Sequence, residues 1–109
     1  MKVPNFENAQ IPSGKVEDYL LNLDHPDGSS KARLLIKMGF DENSLLATLL
    51  NHIRENEVIE TKATPYGIKY IVEGLLKSPL GRQFNLRSVW IIPNGETNPK
   101  LITAHPSKK

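Results

Sequence analysis

The stretch YGIKYIVEGLL, residues 66–76, decides the fold that this sequence predicts. Its β-branched and aromatic side chains suit a half-buried strand better than a helix. Side chains alternate between the two faces of a strand. One predicted face is apolar or aromatic and comprises Ile68, Tyr70, Val72 and Leu76; the other is mixed and comprises Lys69, Ile71, Glu73 and Leu75. We expect helices to pack on the first face and solvent or a ligand to meet the second.

Shorter strands are predicted on both sides of this one, at residues 58–62, 84–92 and 100–105. Thr64-Pro65 separates the first from the long strand, and residues 77–82 carry Pro and Gly where a turn is needed. Pro93-Asn94-Gly95 ends the third strand. Strict alternation in the last strand places Leu101, Thr103 and His105 on one face and Ile102 and Ala104 on the other.

Three helices are predicted before the sheet. The first begins at Ser13, with Val16, Tyr19, Leu20 and Leu23 on one apolar face. The second begins at Ser29 or Ser30 and ends at Met38. The third is capped by Asp41 and has a broad apolar stripe of Leu45, Leu46, Leu49, Leu50 and Ile53. His52 is expected on the polar side of the third helix. Because helices and strands are segregated along the chain, the predicted class is α+β, with three N-terminal helices packed on a C-terminal antiparallel sheet of three to four strands.

The length of 109 residues fits one domain. We expect an extended lead-in at residues 1–12, helices at 13–56, the sheet at 57–106 and a loose tail at 107–109. No apolar run approaches the roughly 20 residues that span a bilayer, and no secretory signal is visible at Met1 to Asn5, so a cytoplasmic protein without membrane contact is expected. The absence of cysteine excludes disulfides and thiolate chemistry, and a net charge of +2 only slightly favours a polyanionic partner.

Five motifs resemble a bacterial domain family of unknown function over residues 11 to 106: IPSGKVEDYLL, HPDGSSKARLL, YGIKYIVEG, LGRQFNLRSVW and PKLITAHP. Members of this family occur as stand-alone proteins and as C-terminal modules of polymorphic toxins. By analogy, this context is similar to metal-independent ribonucleases of the barnase, EndoU, colicin and RelE group. Relatives often carry Arg where this chain has Lys100 and an aromatic residue where it has His105. Since Lys lacks the bidentate fork of Arg, any phosphate contact there differs in this chain.

Metal-independent cleavage of RNA needs groups that move protons and groups that hold the phosphate. The candidate catalytic residues are His25, in a Pro-Gly turn before a helix, and Thr103 and His105 on the last strand. The alternative for His25 is a structural role in the turn. The candidate phosphate ligands are Lys31 and Arg87, and Arg87 has a second interpretation as the partner of Glu73 across the sheet.

Two further residues complete the predicted substrate contacts. Lys69 shares the mixed face of the long strand, and Tyr66 offers a ring on which a base can stack. The alternative for Tyr66 is a place in the core or at its rim, and Trp90 is expected in the core. His25, His52 and His105 lack the close spacing of a metal-ligand pair, so neither a metal nor a cofactor is expected.

The sequence leaves two functions open. The first is a toxin-type, metal-independent ribonuclease that cleaves RNA by attack of the 2′-hydroxyl. The second is a non-catalytic interaction module that binds a partner protein of the antitoxin or immunity type. Convergence of the polar candidates on one surface favours the first, and separate pairing of those residues favours the second.

Overall fold

Four strands contain more of the described residues than the helices do. The computed structural model describes residues 1–16, 20–22 and 29–107, and of residues 29–31 it describes the backbone alone. Its elements are a 3₁₀ helix at Phe6–Asn8, helices α1 (Ser29–Lys37) and α2 (Glu42–Glu55), and strands β1 (Val58–Thr64), β2 (Gly67–Lys77), β3 (Gln83–Pro93) and β4 (Lys100–Ser107).

Helix α2 begins where the sequence predicts. The carboxylate of Asp41 accepts a hydrogen bond from the backbone N–H of Ser44 at 2.8 Å, and the Ser44 hydroxyl accepts one from the Asp41 N–H at 2.9 Å. This reciprocal capping box satisfies two donors that the first turn leaves unpaired. The Ser44 N–H is also the main reason why the pKa of Asp41 lies below its usual value.

The predicted α+β fold with three N-terminal helices packed on the sheet is wrong. Within the described residues there are two α-helices, and the described backbone bonds near Val16 and Leu20 are wider than those of an α-helix. Leu20 N–H donates to the carbonyl of Lys15 at 3.0 Å, and the next N–H donates to Val16 at 2.7 Å. These bonds span five residues, whereas those of an α-helix span four. Val16 and Leu20 are buried, so the four-residue spacing that predicted a helix reflects contact of both side chains with the core. The predicted helical residues Tyr19 and Leu23 lie outside the described residues.

The sheet is an antiparallel meander in the order β1-β2-β3-β4. Strands β2 and β3 form its centre, since they pair over eleven positions from Gly67 opposite Pro93 to Lys77 opposite Gln83. The tight entry into β2 requires glycine: Gly67 has a φ of 154°, and a Cβ there would lie 2.3 Å from the carbonyl oxygen of Ile92. The long predicted strand therefore holds the sheet together.

Strand β4 contains one extra residue. Thr103 pairs with Val89 of β3. Leu101 pairs with the next residue, Trp90, and Ile102 is left without a counterpart. Such a β-bulge shifts the alternation of side chains by one position.

The bulge corrects the predicted faces of β4. Leu101 and Ala104 are both buried in the core, although they are three residues apart and a regular strand would place them on opposite faces. Thr103 and His105 therefore do not share a face with Leu101. Lys100 pairs with Ile91, which places it on the same side as Thr103 and His105.

The core lies between the helices and one face of the sheet. Its buried members are Val3, Val16, Leu20, Leu35, Phe40, Leu45, Leu49, Ile53, Tyr70, Val72, Leu86, Trp90, Leu101 and Ala104. Trp90 is fully buried, as predicted. Ile68, predicted on the packed face, is instead 45% exposed near the end of the sheet.

Candidate functional site

The second side of the sheet, here called the open face, carries the polar candidates. The register and the pleat place the following residues on it: Glu60 and Lys62 of β1, Lys69, Ile71 and Glu73 of β2, Arg87, Val89 and Ile91 of β3, and Lys100, Thr103 and His105 of β4. Of these residues Ile71 is buried, at 8% exposed, whereas the core that contains Leu35 of α1 and Leu45, Leu49 and Ile53 of α2 lies on the opposite face. The open face is thus the side to which a large ligand has access.

One row across three neighbouring strands contains a carboxylate, a guanidinium and an imidazole. Glu73 of β2 lies opposite Arg87 of β3, and Arg87 lies opposite His105 of β4. Residues directly opposite each other in antiparallel strands have Cα atoms about 4.5–5.5 Å apart. Thr103 lies two residues from His105 on the same face, within reach of the same ligand. We call Glu73, Arg87 and His105 the Glu-Arg-His row.

Glu73 is held in place from two sides. Nε of Arg87 donates to Oε2 of Glu73 at 2.5 Å, and Nη2 of Arg87 lies 2.5 Å from the same oxygen. Nδ2 of Asn85 donates to Oε1 at 3.2 Å. The Glu73 side chain is only 8% exposed, whereas that of Arg87 is 38% exposed. The ion pair between Arg87 and Glu73, stated above as an interpretation of Arg87, is therefore present.

His105 has one ring nitrogen committed to the backbone. Nδ1 lies 3.0 Å from the carbonyl oxygen of Pro106, which accepts only, so Nδ1 carries the hydrogen. Nε2 is then the atom that exchanges a proton with a ligand. His105 is half-buried, in the same row as Arg87.

The remaining predicted site residues lie at different distances from this row. Lys69 is on the open face, four residues and about 13 Å along β2 from Glu73. Tyr66 is 79% exposed in the β1–β2 turn, about 23 Å along the strand from Glu73, so the structure does not bring it to the row. His25 lies outside the described residues. Lys31 lies in α1, where the structure describes its backbone but not its side chain.

A second polar cluster lies inside the core. Ser88 Oγ accepts a hydrogen bond from Nε1 of Trp90 at 2.9 Å and lies 3.0 Å from Nδ1 of His52. Which of Ser88 Oγ and His52 Nδ1 donates in their hydrogen bond depends on which ring nitrogen of His52 carries the hydrogen. His52 is 2% exposed, which corrects its predicted place on the polar side of the helix.

His52 also borders a cavity of about 170 Å³ between α2 and the end of β2, and its Nε2 forms no hydrogen bond in the described structure. Burial is the main reason why the pKa of His52 lies below its usual value. Backbone carbonyls of Gly74 and Leu86 and the carboxylates of Glu55 and Glu73 act in the opposite direction. The imidazole is therefore held in its neutral form.

Acid should destabilise the fold through His52. Because the pKa is lower in the folded state than the 6.5 of an exposed histidine, the unfolded chain binds a proton first as the pH falls. The free energy of unfolding should then decrease below that pH and continue to decrease until the folded-state pKa is passed. Urea unfolding at about pH 8 and about pH 5 measures this loss. His52→Asn, which keeps a polar group near Ser88 but has no group that titrates in this range, should lose less stability over this interval. If the unmodified protein and His52→Asn lose equal free energy of unfolding between these pH values, His52 is not the group responsible.

The described chain is thus a four-stranded antiparallel meander with two helices on one face and the Glu-Arg-His row on the other. It belongs to the family of the domain of unknown function DUF6883, whose sequence model matches residues 2–108. This match confirms the resemblance to a domain of unknown function. No curated protein matches the chain.

A solved structure of another protein has a similar fold. It is a chain of a contact-dependent growth inhibition toxin–immunity protein complex from Klebsiella pneumoniae 342. The TM-score is 0.70 at 16% sequence identity, and the match covers 96% of this chain and 98% of that chain. At this identity the similarity establishes a common fold. No helix in the described residues is long and apolar enough to cross a membrane.

Sequence reasoning gave Glu73 no catalytic part. It treated this carboxylate only as a possible partner of Arg87 and as a border of the mixed face. A usable signal was present, since alternation from the β2–β3 turn places Glu73 and Arg87 on one face of adjacent strands. Among the described residues, no three His, Asp or Glu side chains gather in a way that would hold a metal ion.

Proposed function

We propose that the open face carries a metal-independent, toxin-type ribonuclease site in which the Glu-Arg-His row acts on one phosphodiester of RNA. The observation that carries this proposal is the row itself. A carboxylate, a cation and an imidazole occupy directly opposed positions on three neighbouring strands, on the side of the sheet away from the core. This set supplies a base, a phosphate ligand and an acid within the span of one nucleotide.

In the proposed reaction, Glu73 takes the proton of the ribose 2′-hydroxyl, and the 2′-oxygen attacks the adjacent phosphorus. The bond between phosphorus and the 5′-oxygen breaks, and protonated His105 gives its Nε2 proton to that oxygen. The products are a 2′,3′-cyclic phosphate and a 5′-hydroxyl. Glu73 ends protonated and His105 neutral, so solvent must return both to their starting states.

Arg87 has two roles in the proposed reaction: it pairs with Glu73 and it binds the phosphate. A guanidinium has five N–H donors, and Glu73 occupies those of Nε and Nη2. The others are available to non-bridging phosphate oxygens, where positive charge stabilises the pentacoordinate transition state. Thr103, in the adjacent row of the same face, is proposed as a hydroxyl donor to the same phosphate.

The other predicted residues keep the parts that residue chemistry gives them. His25 is a second candidate for proton transfer, and Lys31 is a candidate phosphate ligand from the start of α1. Lys69 and Tyr66 are proposed to contact parts of the substrate away from the cleaved bond. These assignments rest on residue chemistry together with the positions given above.

The proposal predicts cleavage of RNA in the presence of a metal chelator. Purified protein incubated with tRNA and total RNA in EDTA should release fragments with 2′,3′-cyclic phosphate and 5′-hydroxyl ends. The 5′-hydroxyl is detected by direct labelling with polynucleotide kinase, without prior phosphatase treatment. The variant with both Glu73→Gln and His105→Gln is the control for contaminating nuclease. Intact RNA at high protein concentration, or equal cleavage by the double variant, would refute the proposal.

The second candidate is a module that binds a protein of the antitoxin or immunity type. The similar structure comes from a toxin–immunity protein complex, and β1 offers a partner an edge along which five consecutive residues, 59–63, are exposed. An exposed edge strand is a common docking place for a strand of another protein. In this case the substitutions at Glu73 and His105 would leave the activity of the domain in its cell unchanged.

A further inference from the structure

Three lysines form a second row on the open face. Lys62 of β1 lies opposite Lys69 of β2, Lys69 lies opposite Ile91 of β3, and Ile91 lies opposite Lys100 of β4. This lysine row crosses all four strands. It is parallel to the Glu-Arg-His row and lies on the same face.

Fold stability does not explain the lysine row. Like charges directly opposite each other in a sheet are destabilising, and Lys62 faces Lys69 directly. A lysine on an edge strand discourages aggregation, which accounts for Lys62, but Lys69 lies on a strand with neighbours on both sides. An anionic ligand removes the repulsion. The arrangement therefore points to an anion that bridges these strands.

Little in the described structure neutralises this charge. Lys62 lies 3.9 Å from Glu60, and Lys100 lies 3.0 Å from Glu96, in pairs whose four side chains are all exposed to 36–61%. Pairs this exposed are weak, and a polyanion displaces them readily. Lys69 has no ion pair among the described residues.

The distance between the lysine row and the Glu-Arg-His row shows that the anion at the lysines is a different group from the phosphate at the cleaved bond. The two rows are four residues apart along β2, which corresponds to about 13 Å. The intervening row consists of Glu60, Ile71, Val89 and Thr103, and its middle is apolar, with Ile71 buried and Val89 half-buried. A strand that follows the open face from one row to the other would cross this row, and a phosphate further along the same strand reaches the lysines.

We propose that the lysine row binds a second phosphate of a single-stranded RNA chain, so that the substrate is a polynucleotide and not a dinucleotide. The identity of the polymer rests on the proposed function. The lysines increase affinity for the chain and take no part in bond cleavage. Binding through them is independent of base sequence, since a lysine recognises phosphate as a point charge.

The test uses fluorescence anisotropy with a labelled 2′-O-methyl oligonucleotide, which cannot be cleaved because its 2′-oxygen is blocked. Lys69→Ala should weaken binding equally for different sequences and reduce the slope of log K against log salt by about 1. The variant with Lys62→Ala, Lys69→Ala and Lys100→Ala should reduce the slope further. Lys37→Ala, at the exposed end of α1, is the matched control and should bind like the unmodified protein.

Kinetics with two substrates then separate this proposal from the proposed function. The triple variant should lose kcat/KM for an oligonucleotide through a higher KM and keep its rate on a dinucleotide. An unmodified protein that binds the oligonucleotide through the lysines but cleaves nothing would contradict the ribonuclease and support the lysine row. An active enzyme whose triple variant binds with unchanged affinity and salt slope would overturn the lysine row and leave the ribonuclease intact.

Discussion

His105→Gln should lower the rate of RNA cleavage by a factor of about 10²–10⁴, the range contributed by a positioned general acid or base. Glutamine keeps a polar group of similar length in the row but has no proton to give at neutral pH. The leaving 5′-oxygen would then have to depart without protonation. Single-turnover cleavage of a labelled RNA, with enzyme in excess, measures the chemical step without interference from product release.

The control for this experiment is Gln83→Ala, an exposed position of β3 at the opposite end of the sheet from the lysine row. It should cleave at the rate of the unmodified protein. Both variants should unfold at the same urea concentration, which excludes a loss of fold. If His105→Gln cleaves as fast as the control, His105 is not the acid, and the substitution should be repeated at His25.

Trp90→Ala should remove about 3–5 kcal/mol from the free energy of unfolding. The indole is fully buried at the centre of β3 and belongs to the core that also contains Tyr70 of β2 and Leu101 of β4. Alanine would leave a cavity that these neighbours cannot close. Since small domains have about 5–15 kcal/mol in total, the variant should be close to unfolded at 37 °C. Equilibrium unfolding in urea, followed by far-ultraviolet circular dichroism, measures the difference.

Trp90→Phe separates the two contributions of this side chain. Phenylalanine fills much of the volume but cannot donate the hydrogen bond that Nε1 gives to Ser88. Trp90→Phe should therefore lower the free energy of unfolding clearly less than Trp90→Ala does. An alanine variant as stable as the phenylalanine variant would mean that the surrounding core closes around the smaller side chain.

The sequence was sufficient for elements whose signal is local. The four strands lie within two residues of their predicted bounds, because β-branched runs between turn residues need no distant information. Helix α2 follows from its apolar stripe and from Asp41 as its cap. The first predicted helix failed because buried Val16 and Leu20 have a spacing that suits a wide turn as well as a helix.

Tertiary contacts account for the other differences. His52 follows the polar residue Asn51 in the chain and gives no local sign that Ser88, 36 residues away, receives it in the core. The bulge at Ile102 is equally invisible, since alternation in sequence does not show where a strand gains a residue. For this reason Leu101 was predicted on the wrong face.

Part of the candidate site could be predicted because, as for the strands, its signal is local in the sequence. Thr103, His105, Arg87 and Lys69 share one face, and residue chemistry together with alternation along each strand selected them. The sequence did not show that Glu73 and His105 flank Arg87 in one row. That fact depends on the register of both hairpins, which pairing across the sheet fixes and composition does not.

The bulge in β4 also has a consequence for comparing family members. A chain that lacked Ile102 would still pair Leu101 with Trp90 and Lys100 with Ile91, because the missing residue is the one without a counterpart. Such a deletion would reduce the local twist of the strand and keep each remaining side chain on its present face. A one-residue gap at this place in an alignment would thus indicate a straighter strand, and the set of residues presented to a ligand would be inherited unchanged.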